Sequence, residues 1–401
     1  MGSTGRAGRC IMAGMRSICR ATAFLGLLVF RGVAGPVDEG LVEVLLAVGR
    51  EGKGNAEASA AVRRIVESGD AETIPGLLAA MNRAGVVPAN WIRGAVSSIA
   101  AKTGGKLPAG PLEAFARDTA NRPAGRILAM ELLRRSDAAG WERLIPDFLE
   151  DPAAELRREP VARLLATAKA AGDLGQLRKV LGAARDEDQI REAADALREK
   201  GQTVDLPAHF GFVMEWQVAG PFENDGREGF ATEFPPEKGF DAAAAYEGKP
   251  LKAGEPNPVR WKPAVSADQF GLLDFNKSVG MIKEATAYAR TVFESEEERE
   301  AEVRLGCKNA WKVWLNGELL FARDEYHRGR EIDQYRMPVR LKKGANEILV
   351  KCCQNEQTET WTVEWEFQLR VCDATGTPVL AVGRPATPAA ALGVPEKSAK
   401  D

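Results

Sequence analysis

One run of the chain, residues 311–351 (WKVWLNGELLFARDEYHRGREIDQYRMPVRLKKGANEILVK), constrains the fold more than any other. Trp311, Val313 and Leu315 alternate with Lys312, Trp314 and Asn316, the period of a half-buried strand. Asn316-Gly317 follows, and both residues tolerate the positive φ that a two-residue hairpin turn requires. Residues 318–322 return as a second strand. After a polar loop, residues 338–341 read as a short strand, Lys342 to Asn346 as a turn, and residues 348–352 as another strand.

The surrounding residues extend this pattern. Residues 212–218 read as a first strand and residues 221–239 as a loop with aromatic anchors. Short elements surround Trp261 and Leu272, and strands are predicted at 285–294 and 301–305 on either side of an acidic turn. The last strand alternates most strictly. Trp361, Val363, Trp365, Phe367, Leu369 and Val371 fall on one side, and Thr362, Glu364, Glu366, Gln368 and Arg370 on the other. Many short strands with turn punctuation predict an antiparallel β-sandwich.

The first half has a different period. A short amphipathic helix is predicted around Leu41, Val44, Leu45 and Val48. From Asn55 to about Lys200 the chain is rich in Ala, Leu, Arg and Glu, with apolar residues three and four apart, which predicts helix throughout. Arg93, Arg126, Arg158 and Arg191 recur at intervals of 33, 32 and 33 residues. Val96, Ala129, Val161 and Ala194 stand three residues after each, and Ile99, Leu132, Leu164 and Leu197 six after each. A fixed period of this size predicts an α-solenoid of stacked helix pairs. The arginines could line an anion-binding groove, or pair with nearby carboxylates on the helix surface.

Two resemblances follow. V-W-L-N-G at 313–317, the later V-x-L-K-x-G-x-N-x-I-L-V-K, and W-x-V-x-G-P-F at 216–222 together resemble the jelly-roll modules of the galactose-binding-like class, over roughly 210–379. That resemblance implies a β-sandwich of the kind that accompanies bacterial glycoside hydrolases. The helical unit, with Ile74-Pro75-Gly76-Leu77-Leu78 and Ile145-Pro146-Asp147-Phe148-Leu149 opening second helices, resembles HEAT-like repeats. Relatives of the β module often carry an acidic pair just before V-W-L-N-G. Here Cys307-Lys308-Asn309-Ala310-Trp311 holds no carboxylate, so a role for that pair does not transfer.

The expected class is therefore multidomain α + β: a HEAT-like α-solenoid over 36–202, a sandwich over 203–383, and a disordered Pro- and Ala-rich tail over 384–401. Residues 1–35 read as a signal peptide. With Met15 as the start, Arg16 and Arg20 form its basic region, residues 21–30 its apolar core, and Gly32-Val33-Ala34 its cleavage site. A secreted or periplasmic bacterial protein is expected, not membrane-spanning once the signal is removed. A formal net charge of −3 gives no footprint for nucleic acid. With two histidines, His209 and His327, far apart, no metal site and no cofactor are expected.

Cys307, Cys352, Cys353 and Cys372 all lie in the β half. Some could pair in an exported protein, or all could serve as small core residues. Cys352 and Cys353 fall on opposite faces of one strand and would need different partners.

No catalytic residue is expected, since no nucleophile elbow, phosphate loop or H-E-x-x-H occurs. Glu364 and Glu366 share a strand face but read as solubilising charges. Candidate ligand contacts are Trp314, which could stack on a sugar ring, Asn316 beside it, and Asp324 and Glu325 in the loop after the hairpin. The expected function is non-catalytic binding or scaffolding, with an unidentified protein partner on the solenoid, and with the sandwich either contacting a glycan or serving as a purely structural extension. The alternative is a carbohydrate-active enzyme with its site at the domain junction.

Overall fold

The computed structural model describes residues 37–252 and 254–392. The expected signal peptide and residues 393–401 of the expected tail lie outside them.

The first half is helical: α1 (Glu39–Leu46), α2 (Asn55–Ser68), α3 (Ile74–Ala80), α4 (Val86–Lys102), α5 (Ala109–Arg117), α6 (Pro123–Ser136), α7 (Ala138–Leu144), α8 (Ala154–Ala171), α9 (Leu174–Ala183) and α10 (Glu187–Glu199). Local chemistry sets the ends. The carboxylates of Asp38, Asp137 and Asp173 accept first-turn backbone N–H groups. Gly172, at φ 64°, takes the left-handed turn that ends α8. The long helices α2, α4, α6, α8 and α10 each touch the next in order, while α3, α5, α7 and α9 pack beside them. The repeated apolar positions hold this arrangement: Val96, Ile99, Ala129, Leu132, Val161, Ala194 and Leu197 are all buried, whereas Leu164 is half-buried.

Every repeat arginine has a carboxylate partner. Arg93 pairs with Glu131, Arg126 with Asp151, Arg158 with Asp186 and Asp188, and Arg191 with Glu187. Arg126 alone among these is sealed from water. Its counterpart three residues into α8 is Arg157, whose guanidinium donates to the carbonyls of Asp151, Ala183 and Glu150. The helical register therefore slips by one residue against the 32-residue spacing.

A five-residue helix, α11 (Leu206–Phe210), leads into the β half. There β1 (Glu215–Glu223), β2 (Tyr246–Glu247), β3 (Pro258–Val259), β4 (Lys262–Val265), β5 (Leu273–Asp274), a single turn α12 (Phe275–Ser278), β6 (Ala285–Ser295), β7 (Arg299–Cys307), β8 (Ala310–Leu315), β9 (Glu318–Arg323), β10 (Tyr335–Leu341), β11 (Gly344–Gln354) and β12 (Glu366–Cys372) follow. They form a six-stranded sheet, β4-β1-β6-β11-β8-β9, and a four-stranded sheet, β10-β7-β12-β5, both antiparallel. Trp216, Val218, Val303, Leu305, Trp311, Val313, Ile348, Val350, Trp365 and Phe367 fill one core between them. Asn316 (φ 52°) and Gly317 (φ 84°) form the hairpin turn at positive φ as their residue types predict.

Parts of both outer faces are covered, which the alternation alone does not reveal. Residues 224–261 fold over the six-stranded sheet and bury Phe222, Tyr288 and Leu349 beneath Phe234, Tyr246 and Trp261. Lys351, fully buried there, donates to the carbonyl of Thr232 at 2.6 Å and to Glu237 at 2.8 Å. Arg370, expected to face solvent on the last strand, is buried on the outside of the four-stranded sheet. It donates to Asp333 and to the carbonyls of Phe210 and Gly376.

Two expected boundaries shift. The strand expected from Trp361 begins at Glu366, because the Gln354 amide takes the carbonyls of Thr362 and Val363 out of any ladder. The tail expected to be disordered from Arg384 is ordered through residue 392. Thr387 donates to Asp205, Arg198 reaches the Leu392 carbonyl, and Ala391 is buried in the same cluster as Phe210, Phe212, Phe270 and Leu197. That cluster joins the two halves, and the Arg191 guanidinium lies 3.7 Å from the Phe270 ring centroid.

Candidate binding surface at one end of the sandwich

The four residues singled out from sequence do not converge. Asn316 sits in the hairpin turn at one end of β8 and β9. Its amide donates to Asn346 at 3.2 Å, and its side-chain oxygen accepts the Glu347 N–H at 3.0 Å, so its polar groups hold the turn. Trp314 lies on the outer face of the same sheet, half-buried against the cluster of Phe222, Tyr288 and Leu349. Asp324 and Glu325 follow the far end of β9, a strand length of about 20 Å from the turn. Glu325 is taken up by Arg323 and Arg328 at 2.7 and 2.8 Å, and Asp324 is exposed.

The residues after Glu325 complete a surface at that end. Tyr326 accepts from the amide of the buried Asn224 at 3.2 Å. His327 Nε2 lies 2.9 Å from Asn355 Oδ1. Asn355 also donates to Gln357 at 2.9 Å, and Thr362 donates to the carbonyls of Gln357 and Glu359 at 2.9 and 2.8 Å. This network of amides fixes the turn 355–363, and the turn projects Trp361. Trp361 is 58% exposed, the largest such value for a Trp in the described chain, with the His327 ring edge-on at 5.2 Å. Arg227 lies over the Tyr326 ring at 5.2 Å and forms a two-point ion pair with Glu356.

This surface carries the Arg227–Glu356 ion pair beside a neutral phenol. The hydrogen bonds from Arg227 pull the Glu356 carboxyl down to about 2, so it is an anion at neutral pH and offers acceptors only. Burial raises the Tyr326 phenol above its ordinary value, so it remains a donor. An exposed indole flanked by such groups can stack on an apolar ring face and hydrogen-bond the ring's edge.

Sequence reading missed Trp361 because W-x-V-x-W-x-F continues the strand alternation without a break. A signal was present in the polar run Gln354-Asn355-Glu356-Gln357-Thr358 just before it, which is turn chemistry. Within the β half, between the start of β1, β6 and residues 379–388, there is an apolar groove of about 110 Å³ lined by Phe212, Met214, Val292, Phe293, Leu380 and Pro388, among others, with Glu215 its one lining carboxylate.

No protein-family model matches the chain, and no curated protein matches it. Solved structures give partial matches. A β-glucosidase from Kluyveromyces marxianus aligns at 12% identity and TM-score 0.23, over 36% of this chain and 18% of its own. A β-glucuronidase from Ruminococcus gnavus aligns at 11% and 0.22, over 40% and 28%. The PA14 domain of the MpAFP antifreeze protein aligns at 8% and 0.18, over 25% and 55%. The chain thus spans only part of the length of each of these proteins, and likeness at this level carries no functional argument.

Proposed function

We propose that this chain is a non-catalytic extracytoplasmic binding and scaffold protein. Its helices act as a HEAT-like solenoid that holds a protein partner, and its sandwich, of the galactose-binding-like kind, contacts carbohydrate. The observation that carries the reading is Trp361, an indole held out in water by a turn that Asn355, Gln357 and Thr362 hydrogen-bond together. Leaving more than half of so large an apolar side chain in water forgoes burial that would favour folding. The supporting amides Asn224, Gln354 and Asn355 are themselves buried, so the turn is built to present it. The row of successive long helices supports the solenoid half of the reading.

The test is a glycan array probed with the full chain and with Trp361→Ala. Saturable binding lost in the variant, at unchanged melting temperature, supports the reading. Binding that survives in Trp361→Ala moves the site elsewhere on the sandwich, and no binding to any glycan removes carbohydrate from the proposal.

A further inference from the structure

Two of the four β-half thiols meet inside the core. Cys307 ends β7 in the four-stranded sheet, and Cys352 lies on β11 in the six-stranded sheet. Their sulfurs are 3.7 Å apart across the sandwich, at 1% and 0% exposure. Cys353, the next residue, points to the opposite face, where Thr286 Oγ1 lies 3.5 Å from its sulfur. Cys372 closes β12 beside Arg370 and Arg304. Among the described cysteines this pair alone is in sulfur–sulfur contact, and a disulfide would bring it to about 2.05 Å.

We propose that Cys307 and Cys352 form an inter-sheet disulfide when the chain folds in an oxidising compartment. The oxidant is a small-molecule disulfide such as oxidised glutathione. One thiolate attacks it to give a mixed disulfide and releases one reduced thiol. The second cysteine then attacks the mixed disulfide, closes the bridge and releases the other. Two protein thiols become one disulfide, and one oxidised glutathione becomes two reduced. The bridge closes during folding, before the sheets meet. Once they have met, no oxidant reaches the pair, and burial together with the neighbouring Cys307 thiol holds Cys352 protonated. The bridge would tie the two sheets directly, at positions 45 residues apart.

The full chain is produced in a reducing and in a disulfide-permissive bacterial cytoplasm, and the soluble protein is denatured in iodoacetamide and digested with trypsin. The expected product from the permissive host is peptide 305–308 linked to peptide 352–370, two hydrogen masses below their sum. Because the second peptide carries both Cys352 and Cys353, the link must persist in Cys353→Ser and vanish in Cys352→Ser. Full alkylation of Cys307 and Cys352 in soluble protein from the permissive host overturns the proposal, as does a link that follows Cys353 or Cys372.

Discussion

Arg126 on α6 and Asp151, just before α8, form a two-point ion pair that is 1% and 5% exposed, with Nη1 donating to Oδ1 at 2.9 Å. Arg126 Nε donates to the Ala116 carbonyl, and Asp151 accepts the Ala153 N–H, so the pair ties α5, α6 and the residues leading into α8 together. Removing one partner strands a buried charge. Asp151→Ala should destabilise the chain by about 3–5 kcal/mol in urea unfolding, and the double variant Arg126→Met/Asp151→Leu by much less. Arg158→Ala, whose arginine is 54% exposed, should cost under about 1 kcal/mol although it occupies the same place in the sequence repeat.

Lys351 and Glu237 repeat this logic in the β half. Burial lowers the Lys351 ammonium from its ordinary range, an effect the Glu237 carboxylate opposes. Lys351→Met alone should cost about 3–5 kcal/mol, because Glu237 is left uncompensated under Phe234 and Tyr288. Adding Glu237→Leu should recover most of that loss, and a double-mutant cycle by chemical denaturation measures the coupling.

Acid should loosen the junction before it unfolds the sheets. Burial first, then the Arg185 and Arg370 charges, push the His209 imidazole down to about 4 from an ordinary 6.5. Between those values the unfolded chain binds a proton that the folded chain does not, so stability present above pH 6.5 is lost as pH falls toward 4. The loss should be about 1–3 kcal/mol. Thermal melts from pH 7.5 to 4 should show this step, and His209→Gln should lack it.

Asn316 and Trp361 should separate structure from binding. Asn316→Ala removes a residue at positive φ and two hydrogen bonds, and should cost about 1–2 kcal/mol without changing any ligand affinity. Trp361→Ala should leave stability within about 0.5 kcal/mol. Thermal melting alongside the glycan assay distinguishes them.

Period and turn chemistry made the class and most strands legible. The alternation around Trp311, the Asn316-Gly317 turn and the apolar spacing of three and four in the helices are local signals, and the structure follows them. What escaped depends on contacts distant in sequence. Arg370 reads as a surface residue until Asp333 and the Phe210 carbonyl are brought over it. Trp361 reads as a core residue until the Gln354 amide captures the backbone beside it. The buried Arg157 was hidden by its exposed neighbour Arg158, since spacing in the sequence cannot tell which of two adjacent arginines faces inward.

The segment ending at Leu392 gives the molecule a second fastening. The chain leaves the helical half once, through α11, and its end comes back to the same place by way of Thr387 on Asp205 and Leu392 on Arg198. A body fixed at both its entrance and its exit acts as a bracket. The segment adds to the contacts that already cross the junction, from Arg191 on Phe270 and from Arg185 on Thr375 and Thr377, so the two halves are held to one span from two sides.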